Sequence, residues 1–231
     1  MKKIIMAATA VLALSMSAMA QDLSFIVNAG YQGANLANID KKTAKAELLN
    51  GFRGGVAVDW TFLNLGVTQL SVQPGVYFSM KGAKLASLDV NKKPVDLIRQ
   101  LNYIDVPVLL NARFGLADHT NVFVNAGPYV AFGINGKTKL AKPDKEKSIS
   151  DIDLFKDKVY NRFDWGMQVG AGVEFNRFMV GVGYQLGLQD LSKGVNMTSS
   201  EAFKKAEDWF RSSFASKTNN TNFFVTVGYR F

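Results

Sequence analysis

From Leu23 onward, apolar residues recur at every second position in eight runs separated by polar stretches. Residues two apart share one face of a β-strand, so each run predicts a strand with one apolar face. The first three faces are Leu23-Phe25-Val27-Ala29-Tyr31, Phe52-Gly54-Val56-Val58-Trp60-Phe62 and Leu70-Val72-Pro74-Val76-Phe78-Met80. The next three are Ile104-Val106-Val108-Leu110-Ala112-Phe114, Val122-Val124-Ala126-Pro128-Val130-Phe132 and Trp165-Met167-Val169-Ala171-Val173-Phe175. Phe178-Val180-Val182-Tyr184-Leu186 and Phe223-Val225-Val227-Tyr229-Phe231 complete the set. No face carries a charge, and a charge facing lipid at mid-depth costs about 2–4 kcal/mol.

The connections alternate in length. Asn64-Leu65-Gly66, Gly115 to Asn121 and Asn176-Arg177 are short turns, whereas the stretches near 34–50, 82–100, 135–160 and 188–220 are long and polar. Short turns on one side and long loops on the other are the layout of a bacterial membrane barrel. Alternation alone leaves a soluble sandwich or lipocalin-like barrel open. Two features favour the membrane. Aromatics gather at both ends of the apolar faces, as two lipid–water interfaces require, and the opposite faces carry many polar residues. The expected fold is all-β: an eight-stranded, antiparallel, up-and-down transmembrane β-barrel with both termini on the periplasmic side.

The N-terminus agrees. Lys2 and Lys3 precede an apolar stretch from Ile4 to Leu14, and Ala18-Met19-Ala20 supplies a small-x-small cleavage pattern. This is the layout of a secretory signal peptide, against which an N-terminal membrane anchor is the competing reading. Residues 1–20 are therefore expected to be removed, leaving 21–231 as one barrel domain. No later stretch approaches the roughly 20 apolar residues of a membrane helix, although 48% of the chain is apolar. The chain has no cysteine, which excludes a lipoprotein anchor, disulfides and thiolate metal sites.

Several strings carry a resemblance. Phe223, Val225, Val227, Tyr229 and Phe231 form a stripe that resembles the C-terminal signal of Gram-negative outer-membrane barrels, which implies recognition by the barrel-assembly machinery during insertion. Pro74-Gly75-Val76-Tyr77-Phe78-Ser79-Met80-Lys81-Gly82-Ala83-Lys84 and Tyr103-Ile104-Asp105-Val106-Pro107-Val108-Leu109-Leu110 resemble the third- and fourth-strand signatures of the PorT-like outer-membrane β-barrel family. Asn125-Ala126-Gly127-Pro128-Tyr129 and the run Asp164 to Phe175 are similar to its fifth and sixth strands. The ordered set covers essentially the whole chain after residue 20. It implies an eight-stranded outer-membrane barrel and does not specify activity, since only some members serve secretion-linked gliding systems.

The inward positions hold Arg53, Asp59, Gln69, Lys81, Tyr103, Asp105, Arg113, Asp164, Gln168, Glu174 and Arg230. Strand direction places Asp59, Gln69, Arg113, Glu174 and Arg230 low, towards the short turns. Lys81, Tyr103, Asp105 and Asp164 lie higher, with Arg53 near the upper rim. Buried charges persist when paired, so Arg53, Asp59, Asp105, Arg113, Glu174 and Arg230 are expected to form an ion-pair network plugging the lumen. The alternative is a gated polar path or a small-ligand site, because an eight-stranded barrel is just wide enough for its side chains or one small ligand. Gly166, Gly170, Gly172, Gly181, Gly183, Gly187 and Gly228 also face inward. They either admit bulky neighbours or line a lateral cavity.

Catalytic signals are poor, and no catalytic, cofactor or metal site is expected. The only histidine, His119, lies in a short turn, and no Gly-rich phosphate loop with its lysine is present. Of the formal charge of +8, Lys2 and Lys3 account for two, and the +6 that remains after residue 20 comes from the long connections, since strands and short turns balance. An exported barrel does not meet nucleic acid, so the expected partners are outer-membrane lipid, lipopolysaccharide phosphates and a protein partner at the outer loops. Lys137 to Lys158 has no core-forming pattern. Ser199-Ser200 begins an amphipathic segment with Phe203, Ala206, Phe210 and Phe214 near one face. That segment either folds over the barrel mouth or meets a membrane or partner. The function that follows is a non-enzymatic barrel presenting four long outer loops, with narrow transport or small-ligand binding as the alternative.

Overall fold

A computed structural model describes residues 23–37, 45–90, 93–141, 162–189 and 219–231. They form β1 (Leu23–Ala37), β2 (Lys45–Glu47), β3 (Leu49–Asn64), β4 (Thr68–Val90) and β5 (Lys93–Ala117). β6 (Thr120–Ala141), β7 (Phe163–Phe175), β8 (Phe178–Gly187) and β9 (Asn219–Arg230) follow. β2 and β3 both pair with β4, and the register slips by one residue across Leu48. Together they make one stave interrupted by a bulge. Eight staves therefore follow one another antiparallel around a ring, and β9 pairs back onto β1. Closure removes every sheet edge, which is what a β-structure in lipid needs.

The expected eight-stranded antiparallel barrel is what the chain forms. Among the described residues no helix is long and apolar enough to cross a membrane; the crossing elements are strands.

Alternation along each stave sets the faces, and β8 shows it most simply. Phe178, Val180, Val182, Tyr184 and Leu186 are exposed, while Met179, Gly181, Gly183, Gln185 and Gly187 are buried. The same polarity holds around the ring: exposed side chains are Phe25, Val56, Val108, Val124, Val169 and Val227, and buried ones include Arg53, Asp59, Lys81, Asp105, Asp164 and Glu174. A soluble barrel hides its apolar face. This one presents it, so the apolar face meets lipid and the polar face fills the lumen. Trp60, Phe62, Phe114, Phe175, Phe178 and Phe231 are exposed at the short-turn end, and Tyr31, Phe52, Phe132, Trp165 and Tyr184 at the other.

The long connections are shorter than the sequence suggests. β4 has 23 residues and β5 has 25, where about 9–11 suffice to cross a bilayer. Their pairing continues to Val90↔Lys93, so the polar stretch near 82–100 is mostly hairpin rather than loop. The start of the stretch near 135–160 likewise pairs with β5 as far as Ala141. Two strands leaving the bilayer side by side keep their backbone hydrogen bonds in water, and no apolar face is needed there. The Lys137–Lys158 run falls largely outside the described residues, and the amphipathic segment at 199–214 lies wholly outside them.

Candidate functional site

The register brings the inward charges together in two layers. In the upper layer Asp105 of β5 stands opposite Ala131 of β6, which stands opposite Asp164 of β7. The small Ala131 side chain leaves room between the two carboxylates, and Lys81 fills it. Its Nζ lies 3.0 Å from Asp105 Oδ1 and 3.8 Å from Asp164 Oδ2. Arg53 reaches the same level: NH1 donates to Asp105 Oδ2 at 2.9 Å and NH2 to Gln168 Oε1 at 3.2 Å.

Amides complete this layer. Gln185 Nε2 donates to Gln168 Oε1 at 2.9 Å and to Asp105 Oδ2 at 3.3 Å. Asn220 Nδ2 donates to Asp164 Oδ2 at 3.2 Å. Aromatic faces cover the cations: Tyr77 and Phe224 lie 4.4 and 4.7 Å from the Arg53 guanidinium carbon, and Tyr129 lies 4.7 Å from Lys81 Nζ. All four charged side chains are at most 1% exposed.

The lower layer is built around Arg230, which stands between two carboxylates. NH1 lies 2.6 Å from Asp59 Oδ2, and Nε donates to Glu174 Oε2 at 3.0 Å. Glu174 Oε1 also receives Asn121 Nδ2 at 3.4 Å and lies 3.4 Å from Arg113 NH2. Arg113 is 22% exposed, at the short-turn mouth. Each layer pairs two cations with two anions, so each is neutral as a unit.

Ile26, Ala57, Tyr77, Phe123 and Met179 pack together between the layers. Beside them is a cavity of about 50 Å³ bordered by Arg53 and Gln168 above, with Asn28, Gln73, Tyr77 and Asn125 among its polar lining.

Every residue expected in the lumen network is in the lumen, but Arg53, Asp59, Asp105, Arg113, Glu174 and Arg230 do not make one network. Arg53 and Asp105 belong to the upper layer and the other four to the lower. Arg53 is not at the upper rim as its strand position suggests, because its long side chain reaches inward to Asp105. The expected network also left out Lys81 and Asp164, which the geometry makes its centre. Gln185 and Asn220 were missed altogether: Gln185 alternates with glycines on β8, and Asn220 lies in a stretch too polar to suggest a strand.

Five of the seven inward glycines divide between the two roles the sequence left open, while Gly166 and Gly187 pack on the backbone of the neighbouring strand. A Cβ on Gly183 would collide with the Phe224 ring and one on Gly172 with the Phe123 ring, so these two admit bulky neighbours. Gly170, Gly181 and Gly228 border the cavity instead.

At the C-terminal stripe, Phe223, Val227 and Phe231 are exposed, with Val225 and Tyr229 partly covered. Tyr229 meets Phe178 and Phe231 edge to face at 5.1 and 4.9 Å, and Phe231 N donates to Phe25 O at 2.8 Å. His119 occupies the exposed turn between β5 and β6 with a positive φ of 63°. Among the described residues no group of His, Cys, Asp or Glu is arranged to hold a metal ion.

Residues 19–193 match the family described as outer membrane protein beta-barrel domain. The chain belongs to that family. Membership assigns it to the outer membrane, in agreement with the apolar outer face. Solved barrels of similar shape include Ail, the attachment invasion locus protein of Yersinia pestis, at 15% identity over 91% of this chain and 99% of that one, TM-score 0.39. OprG of Pseudomonas aeruginosa is 12% identical over 90% and 95%, TM-score 0.43. The outer membrane enzyme PagL is 12% identical over 88% and 98%, TM-score 0.44. No curated protein sequence matches the chain.

Proposed function

We propose that this chain is a PorT-like, non-enzymatic outer-membrane barrel, closed along its axis, that works as a structural or interaction module through its outer loops. The observation that carries this reading is the pair of neutral ion-pair layers stacked across the lumen. Each is made of buried charged side chains that hold one another, and the cavity between them measures about 50 Å³. An ion following the axis would have to displace both layers. In this reading residues 1–20 act as a cleaved export signal, and both termini, which an even number of staves keeps on one side, lie with the short turns in the periplasm. The partners are outer-membrane lipid, lipopolysaccharide phosphates and a protein at the outer loops, such as a component of a secretion or gliding system. Phe223, Val225, Val227, Tyr229 and Phe231 serve insertion through the barrel-assembly machinery. His119, exposed in its turn, offers no buried base for a nucleophile, which supports a non-catalytic role.

Proteoliposome swelling tests the closure. Vesicles carrying the protein are expected to swell in isosmotic glycine or arabinose no faster than empty vesicles. Size-dependent swelling would replace this reading with narrow transport.

A further inference from the structure

Five of the eight ladders run without interruption: β1–β3, β1–β9, β6–β7, β7–β8 and β8–β9. The other three carry register shifts, at Thr61/Leu63, at Leu85/Leu88 and at Asn102/Tyr103 and Gly115/Ala117, and each also loses two consecutive pairs while keeping register. Between β3 and β4 pairing stops at Ala57↔Gly75 and resumes at Trp60↔Val72. Between β4 and β5 it stops at Pro74↔Val108 and resumes at Tyr77↔Asp105. Between β5 and β6 it stops at Pro107↔Tyr129 and resumes at Leu110↔Ala126.

Each gap contains one proline: Pro74, Pro107 and Pro128 respectively. Proline has no N–H, so it withholds one ladder hydrogen bond and is rarely tolerated inside a sheet. By register Pro74, Val108 and Pro128 form one row across three adjacent strands, with Pro107 the next residue along. Pro74 and Pro128 are exposed near the middle of their strands' apolar runs, hence near mid-depth in the bilayer, whereas Pro107, at the same level, is buried on the lumen side.

The cavity reaches this wall from the inside: Gln73 and Leu109, the inward residues next to Pro74 and Val108, border it, and its far side is formed by β7, β8 and β9. Gln73 and Tyr77 of β4, Leu109 of β5, and Phe123 and Asn125 of β6 are the inner side of the same wall and border it. Its other walls add Phe224 and Met179, so it is part apolar and part amide. Asn28 Oδ1 and Asn125 Oδ1 are buried and accept no hydrogen bond.

We infer that the proline row is a lateral port: a weakened seam through β3–β6 by which a small, neutral, lipid-soluble molecule carrying a hydrogen-bond donor enters the cavity from the bilayer. The donor satisfies an orphan amide oxygen, and the rest of the molecule lies against Leu109, Phe123 and Met179. Charged solutes are excluded, because both axial routes are closed by the ion-pair layers. This site goes beyond the axial closure proposed above, and the two fail separately, since swelling reports the axis and the following test reports the wall.

The chain has no cysteine, so a single one can be placed cleanly. Leu109→Cys, in the full chain reconstituted into phospholipid vesicles, puts a thiol on the cavity wall behind the seam. Ile26→Cys puts one at an equally buried site whose strand has unbroken ladders on both sides. Bilayer-soluble N-ethylmaleimide is expected to modify the Leu109→Cys variant at least tenfold faster than the Ile26→Cys variant, while the charged reagent MTSET modifies neither. Replacing the prolines by alanine restores the missing donors, and labelling of the Leu109→Cys thiol is expected to fall about tenfold when all three are replaced. Heat-modifiable migration on gels checks folding, and the single Pro107→Ala replacement, with a smaller drop in the same direction, serves if the triple replacement does not fold. Ethanol, sized to the cavity, is expected to slow labelling saturably, with its isostere propane having less effect. Equal labelling with and without the prolines, no labelling of the Leu109→Cys variant, faster reaction with MTSET, or equal protection by propane would each overturn the proposal.

Discussion

Arg230 carries more of the lower layer than its neighbour Arg113, and the difference is one of burial. Arg230 holds both Asp59 and Glu174, and its removal takes the cation from buried Asp59 and leaves Glu174 with the more distant Arg113 and Asn121. Arg230→Met is expected to cost about 3–5 kcal/mol, the usual penalty for breaking a buried pair from one side. Arg113 meets only Glu174, at 3.4 Å, and is 22% exposed. Arg113→Met is expected to cost at most about 1 kcal/mol, because solvent screens the pair. Urea unfolding of both variants in vesicles, followed by tryptophan fluorescence, checks the ranking. Phe231 is the second test at this scale. Its backbone N–H closes onto Phe25 and its ring meets Tyr229, so deleting it is expected to impair insertion while export continues. Normal amounts of heat-modifiable, membrane-inserted protein would contradict that role.

Strand faces were legible because lipid demands an uninterrupted apolar stripe, and all eight stripes point outward. Less legible was anything beyond the bilayer, where pairing persists without a hydrophobic pattern. That is why the β4–β5 hairpin reads as loop, and why Asn220, which donates to Asp164, was missed. The lumen was legible in composition but not in connection. A long side chain acts well away from its own Cα, so Arg53 joins Asp105 in the middle rather than guarding the rim. At the element scale β8 and β9 also depend on complementary sizes. Gly183→Val would press a side chain into the Phe224 ring, and overpacking of this kind costs about 1–3 kcal/mol. In a double-mutant cycle with Phe224→Ala the combined loss is expected to be smaller than the sum, because removing the ring makes room. Additive losses would show that the ring does not occupy the space left by Gly183.

For the whole molecule, a barrel with an apolar outside and two neutral charged layers inside is, under the proposed axial closure, a sealed cylinder with a surface at either end. Neutrality within each layer matters, because a net charge buried in the lumen would attract counter-ions and favour an open, wet state. The proline seam is compatible with the proposed seal, since its outward prolines, Pro74 and Pro128, face hydrocarbon rather than either aqueous compartment. Family membership and the inside-out polarity place the molecule in the outer membrane.

The most direct test of axial closure is single-channel recording with purified full-length protein in a planar bilayer. The wild-type protein is expected to give no steady openings across the voltage range the bilayer withstands. Removing both central cations of the layers, in Lys81→Ala/Arg230→Ala, is expected to produce measurable openings in protein that still inserts. Steady, voltage-independent conductance from the wild type would contradict the account, because ions would then pass both layers as they stand.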